Sequence, residues 1–220
     1  MVTPAQSAPA PPSAHGVAVL RARPASARGR KTLDKILTTT IELAAEVGFE
    51  AINTNLIAAR AGVNIASLYK YFPNKQAIFL TISEGLVAAF HAEVKALVGQ
   101  IDDGRPWREA VAEGIRLAAR RRLDSPGERA IRMALRLAPE TQGIDAAESQ
   151  ANADVISGLI LRRSAASEDR ARIVARVAIE MASSVLDLLM TVPEPDTDAL
   201  VGEATEAFVR YLEPWMDGRA

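Results

Sequence analysis

Between Thr54 and Lys75 the chain concentrates groups that could meet an anion. Tyr69, Lys70 and Tyr71, together with Lys75 and the Thr54 hydroxyl, can donate hydrogen bonds or charge to phosphates. Just ahead of them, Asn64, Ile65, Ala66 and Ser67 are small or compact enough to allow close approach to a surface. Covalent chemistry has far less to work with. There is no cysteine, which removes disulfides, thiolate catalysis and thiolate metal sites. The two histidines lie in unlike surroundings, His15 in a Pro/Ala-rich tail and His91 in a helical pattern, so neither a shared metal site nor a triad is expected. Glycine-rich phosphate loops and His/Glu metal spacings are missing too. The expectation is a binding protein, not an enzyme, with no metal and no cofactor.

The elements around these residues explain their spacing. Thr54 is an N-cap candidate for a short helix over Asn55–Ala61, and Gly62 ends it. Val63 fills the angle of a tight turn, and Asn64 can cap a second short helix over Ile65–Tyr71. Pro73 stops that helix, and Asn74 can cap a long one reaching about Val98. Two short helices joined by Ala61-Gly62-Val63-Asn64 make a helix-turn-helix. Ile57 and Leu68 face inward, and Ala58 is small where the helices cross. Asn64, Ile65, Ala66, Ser67, Lys70 and Tyr71 are then left on or near the outer surface. Such a helix fits a major groove about 12 Å wide, with Ile65 within reach of a thymine methyl. An ordinary helical hairpin with solvated Tyr and Lys side chains is the competing reading.

Ahead of this motif, residues 1–29 are rich in Pro, Ala, Ser and Arg and lack a helical period, so they are expected to be disordered. Their arginines could reach a phosphate or minor groove, or merely be solvated. Folded structure is expected from Arg30, where Leu33, Ile36, Leu37, Ile41, Ala44 and Val47 form one helical stripe ended by Gly48. Charge is divided unevenly. Through Ile82 there are nine Lys/Arg against four acids, and a whole-chain charge of −1 leaves the remainder at −6. A basic head on an acidic body suggests that the head alone meets a polyanion.

Beyond Gly99 the pattern stays helical: Arg105-Pro106 to about Leu123, Glu128 to Ala138, Ile144 to Arg163, Glu168 to Met190, and Thr197 to Trp215. Ser125-Pro126-Gly127 reads as a break. No stretch alternates with period two, so the fold class is all-α. The expected organisation is a tail (1–29), a three-helix helix-turn-helix domain (30–82) and a helical-bundle domain (83–220). No apolar run is long enough to span a bilayer and no export signal is evident, so the cytoplasm is expected and a membrane is not.

From Arg30 to about Ile82 the chain resembles the TetR family of bacterial repressors. The residues that carry the likeness are Gly48-Phe49, Thr54-Asn55-Leu56-Ile57-Ala58, Ala61-Gly62-Val63, Ser67-Leu68-Tyr69-Lys70-Tyr71-Phe72 and Asn74-Lys75. Ala66 stands where the family often has glycine and Asn64 where it often has serine. Both keep the physical role. The resemblance implies a nine-helix dimer with a three-helix reader and a C-terminal effector domain, paired through the last two helices. It also implies phosphate contacts at Thr54, Tyr69, Tyr71 and Lys75, with Asn64, Ile65, Ser67 and Lys70 at or near the bases.

The C-terminal part supports pairing independently. Ile173, Val177, Ile179, Met181, Val185, Leu188 and Leu189 make their helix apolar on more than one face. Packing within one subunit accounts for the same residues. A pocket for a small-molecule effector is expected between about Trp107 and Met190, lined by Trp107, Met133, Leu137, Met181 and Leu186, with Arg116 or Arg120 facing an anionic ligand. All of these could equally be core residues and surface arginines. The functional expectation is a repressor released from a pseudo-palindromic operator in double-stranded DNA by that effector. The alternative is a ligand-independent, dimeric architectural DNA-binding protein.

Overall fold

The computed structural model describes residues 20–123, 125–137, 144–193 and 196–218. Among them every regular element is an α-helix: α1 (Ala27–Ala51), α2 (Thr54–Ala61), α3 (Ile65–Tyr71), α4 (Lys75–Asp102), α5 (Trp107–Leu123), α6 (Pro126–Leu137), α7 (Ile144–Arg163), α8 (Glu168–Thr191) and α9 (Thr197–Met216). The starts follow from capping chemistry. Side-chain oxygens of Ser26, Asn53, Asn64, Asn74, Ser167 and Asp196 accept from backbone N–H groups that the first turn leaves without partners.

Several boundaries differ from expectation, among them the end of α4, which runs to Asp102 beyond the expected Val98. α1 opens at Ala27, not Arg30, because Ser26 caps it; residues 1–19 lie outside the described residues. Asn53, not Thr54, caps α2, so Thr54 is the first helical residue and its hydroxyl is released for other bonds. Pro126 begins α6 where a break was expected. Proline lacks an N–H, but at a helix's first position that N–H would have had no partner.

The described residues form two compact units. One takes those up to Gly85 together with α6; the other takes Leu86–Ser125 and the described residues from Ile144 on. In the first unit, Ile36, Leu43, Ile52, Ile57, Leu68, Phe72, Ile78, Phe79 and Ile131 are almost wholly buried. The stripe expected on α1 is met in part: Ile36 and Ala44 are buried, and Leu33, Leu37 and Ile41 are half-buried. Thr39, Thr40 and Leu43 are buried as well, whereas Val47 is 46% exposed. Thr40 enters the core because its hydroxyl donates to the Ile36 carbonyl at 2.7 Å, leaving no unsatisfied polar atom. The regular part of α1 ends at Gly48, whose φ of 74° and ψ of 165° lie in a region essentially confined to glycine.

α6 lies against α1 with its backbone in close contact. A Cβ on Gly127 would fall 2.8 Å from the Ile41 carbonyl carbon and 2.9 Å from its Cγ2, and closer still to its carbonyl oxygen. Glycine is required there for space.

The second unit is a bundle of α5, α7, α8 and α9 with the later turns of α4. Its core includes Trp107, Ile115, Leu159, Ile160, Val174, Leu186, Leu189, Phe208 and Leu212. By length and composition α4 could cross a bilayer, contrary to expectation. Parts of its apolar surface are instead interior: Ala77, Ile78, Phe79, Leu80 and Ile82 are buried in the first unit, and Val98 and Ile101 in the second.

Candidate DNA-binding surface

The turn between α2 and α3 is built by conformation. Gly62 sits at φ 64° and ψ 35°, the left-handed region, while the space a Cβ would occupy is open. Its N–H donates to Ala59, and the next N–H, of Val63, donates to Ala58 at 3.0 Å, which closes the C-terminus of α2. Asn64 then receives the Ala66 N–H at 2.8 Å and starts α3. With Ile57 and Leu68 fully buried, the orientation of α3 is fixed. Asn64, Ala66, Tyr69 and Lys70 face outward, and Ile65 and Ser67 are half-buried at the rim.

Tyr69 and Thr54 are brought together from different helices, their hydroxyl oxygens 2.9 Å apart. Two hydroxyls carry two protons, and the bond between them uses one. The other remains available to an acceptor such as a phosphate oxygen. Lys75 lies at the start of α4, its ammonium donating to the Ile52 carbonyl at 3.0 Å and lying 5.0 Å from the centre of the Phe49 ring. An ammonium has three N–H groups, so this anchoring leaves charge and donors for a further partner.

Tyr71 departs from the outward position expected of it. It is only 6% exposed, and its ring packs in the core with the phenol oxygen beside Gly29. The reason is angular: Leu68 and Tyr71 are three residues apart and share the inward face of α3.

Two features go beyond what the residue pattern suggests. Asn53 takes the cap of α2 ahead of Thr54, in keeping with the higher rank of asparagine at that position. The segment preceding α1 is tied to the reader: the Arg21 N–H donates to the Tyr71 carbonyl at 2.8 Å.

The residues named for an effector pocket are divided between the two units. Trp107 and Leu186 are buried in the second unit's core, and Met181 is half-buried. The Trp107 indole N–H donates to Asp217 at 3.0 Å. Met133 is 43% exposed and belongs to the first unit, and the Leu137 side chain lies outside the described residues. Arg116 and Arg120 are exposed on α5, where they add weakly to the pull of Arg105, which holds the Glu113 carboxyl below its usual range. On the other side of α5, hydrogen bonds to Asp217 and Glu213 raise the Arg108 guanidinium further above its ordinary value. Two further arginines of α5, Arg121 and Arg122, are more enclosed. Arg122 is paired with Asp187 at 3.0 Å, and Arg121 donates to the Leu86 carbonyl and lies over Phe90. A polar pair also lies inside this unit: His91 and the buried Asn152 are hydrogen-bonded at 3.1 Å.

Comparison with known proteins agrees with this architecture. Residues 36–82 match bacterial regulatory proteins of the tetR family, and residues 106–212 match the tetracyclin repressor-like C-terminal domain. A stretch of 46 residues is 39% identical to the transcriptional repressor KstR of Mycolicibacterium smegmatis, covering 21% of this chain and 22% of that protein. The match thus spans about a fifth of that relative's length. A TetR-family regulator from Streptomyces coelicolor superimposes with a TM-score of 0.62 at 26% identity, over 84% of this chain and 98% of the other. NalD of Pseudomonas aeruginosa, a secondary repressor of a multidrug efflux pump, shares the fold with a TM-score of 0.61 at 20% identity, over 84% and 96% of the two chains. A helix-turn-helix reader and a helical C-terminal bundle, matched separately and in this order, make the chain a member of the TetR family of non-enzymatic, DNA-binding transcriptional regulators.

Proposed function

We propose that the protein acts in the cytoplasm as a homodimeric repressor that binds a pseudo-palindromic operator and leaves it when a small molecule binds the C-terminal bundle. The observation that carries the DNA-binding half is the donor set around α3. The Tyr69–Thr54 hydroxyl pair and the anchored Lys75 flank a short helix whose outward residues are Asn64, Ala66 and Lys70. Phosphate donors on both sides of a base-facing helix fix its register in a groove.

Dimerisation is supported by α8. Ile173, Val177 and Leu188 are 56%, 41% and 40% exposed. At 3.6 residues per turn they fall within about 60° of one another. A second copy presenting the same face would cover them with two-fold symmetry, matching a palindrome. Release requires an effector that binds more tightly to an arrangement of the two readers unsuited to the operator.

The test is selection of bound fragments from sheared genomic DNA at physiological salt with excess random competitor. A recovered pseudo-palindrome with half-sites about one helical turn apart is the expected result. The Ile173→Glu, Leu188→Glu double variant should sediment as a monomer and lose the preference for two half-sites. Recovery of no fragment above background refutes the reading. A recovered operator that no compound in a small-molecule screen releases would favour a ligand-independent architectural role.

A further inference from the structure

The basic segment that leads into α1 is held against the end of α3 by its backbone. From Leu20 to Lys31 the chain carries Arg21, Arg23, Arg28, Arg30 and Lys31 and no acidic residue. All five are exposed. The segment is fixed at three points. The Arg21 N–H donates to the Tyr71 carbonyl at 2.8 Å, and its guanidinium reaches the Tyr69 carbonyl at 3.4 Å. Ser26 caps α1 by accepting from Gly29 at 3.1 Å. Gly29 in turn fits closely beneath the Tyr71 phenol, where a Cβ would lie 3.0 Å from the hydroxyl oxygen.

This docking places the segment on the edge that Tyr69 already occupies. The residue whose carbonyl meets the Arg21 guanidinium is also the one whose phenol is paired with Thr54. Positive charge therefore continues outward from the donor set described above.

Within the segment, positive charge is not matched by any acidic residue. Elsewhere in the chain, many arginines are matched with carboxylates: Arg60 with Glu46, Arg105 with Glu113, Arg108 with Glu213 and Asp217, Arg162 with Asp102, Arg172 with Glu168. Among the described residues, Arg23, Arg28, Arg30 and Lys31 have no acidic partner. The first turn of α1 contains no acid at all. Cations at a helix N-terminus are opposed by the helix dipole and by one another. A cluster unfavourable in the free protein is relieved when a polyanion arrives.

We propose that Arg21, Arg23, Arg28, Arg30 and Lys31 form a basic brace that contacts the DNA phosphate backbone beside the groove entered by α3. The inference rests on the DNA-binding reading of α3 and adds a second strip of contacts to it. The brace strengthens binding to every sequence alike and leaves base preference to α3.

The experiment is a fluorescence-anisotropy titration of the full chain on a recovered operator and on an unrelated duplex, over a series of potassium chloride concentrations. The variant Arg23→Ala, Arg28→Ala, Arg30→Ala should bind both duplexes more weakly with an unchanged ratio between them. Its log–log salt slope should be shallower by about 0.9 for each phosphate that the variant no longer neutralises. The matching Arg→Lys variant should keep the slope. Arg172→Ala with Arg210→Ala, which removes charge from the other unit, should leave it unchanged. An unaltered slope in the alanine variant, alongside tight binding by the parent, overturns the brace and leaves the role of α3 intact. An equal change in the Arg172, Arg210 control would overturn it as well, since general charge would then be the cause. Failure of the parent to bind either duplex takes down the DNA-binding reading and the brace with it.

Discussion

Replacing Gly127 by alanine sets two effects of opposite sign against each other. In an unobstructed helix, Gly→Ala stabilises by up to about 1 kcal/mol through backbone entropy. At this position the new Cβ would lie 2.8 Å from the Ile41 carbonyl carbon, whereas carbon atoms rest at about 3.5 Å or more. The two helices must therefore separate by at least about 0.7 Å. The obstruction is backbone, so no rotamer change relieves it. Forcing atoms into a packed contact costs about 1–3 kcal/mol, which exceeds the propensity gain. Net destabilisation follows, and for a chain of this length each kcal/mol lowers Tm by about 2–4 °C. Urea unfolding followed by circular dichroism measures it. A second variant sharpens the test. Adding Ile41→Ala removes Cγ2 but not the carbonyl, so the double variant should be no more stable than Gly127→Ala alone. A Gly127→Ala protein as stable as the parent, or stability restored by Ile41→Ala, would refute the packing argument.

Other substitutions separate structure from recognition. Lys75→Ala should weaken binding to all duplexes and reduce the salt slope by about one, read by anisotropy at several salt concentrations; a change confined to one base position would contradict a phosphate role. Gly62→Val should destabilise by about 1–2 kcal/mol, because a side chain is disfavoured at φ 64°. Since the space is open, Gly62→Asn should recover much of that stability in urea unfolding. Tyr71→Ala should cost about 3–5 kcal/mol as a core truncation. Tyr71→Phe should fold like the parent, and its DNA affinity then reports whether the phenol oxygen at the surface of that core takes part in binding.

How far the pattern of residues reveals the structure depends on whether its causes are local. Gly62, Asn64 and Asn74 act within three residues of themselves, and the turn and caps they make are as expected. The start of α6 departs from expectation because proline's effect depends on its place in the turn. On α1 the pattern places Ile41 on the inward stripe, but its contact with α6, some 85 residues later in the chain, has no trace in the spacing around α1. Burial of Thr40 likewise depends on a hydroxyl bond that hydrophobicity alone does not anticipate. The proposed effector site is the least accessible of all. Its lining depends on how side chains from several helices converge, and Trp107, Met133 and Leu186 look alike in a sequence whether they meet or not.

In the proposed DNA-binding reading, the donor set would act as a rigid phosphate clamp. A tyrosine has few rotatable bonds, and Tyr69 is held at its far end by Thr54, so little freedom remains for DNA to remove. Lysine is ordinarily costly to immobilise, but Lys75 is held by the Ile52 carbonyl and the Phe49 ring before any ligand arrives. The backbone tie from Arg21 to Tyr71 extends the same preorganisation to the chain that precedes α1. A clamp ordered by folding tolerates only small departures from its own phosphate spacing. In the proposed dimer, a modest change in the distance between readers would then weaken the grip on both half-sites together, which is the sensitivity that release by an effector requires.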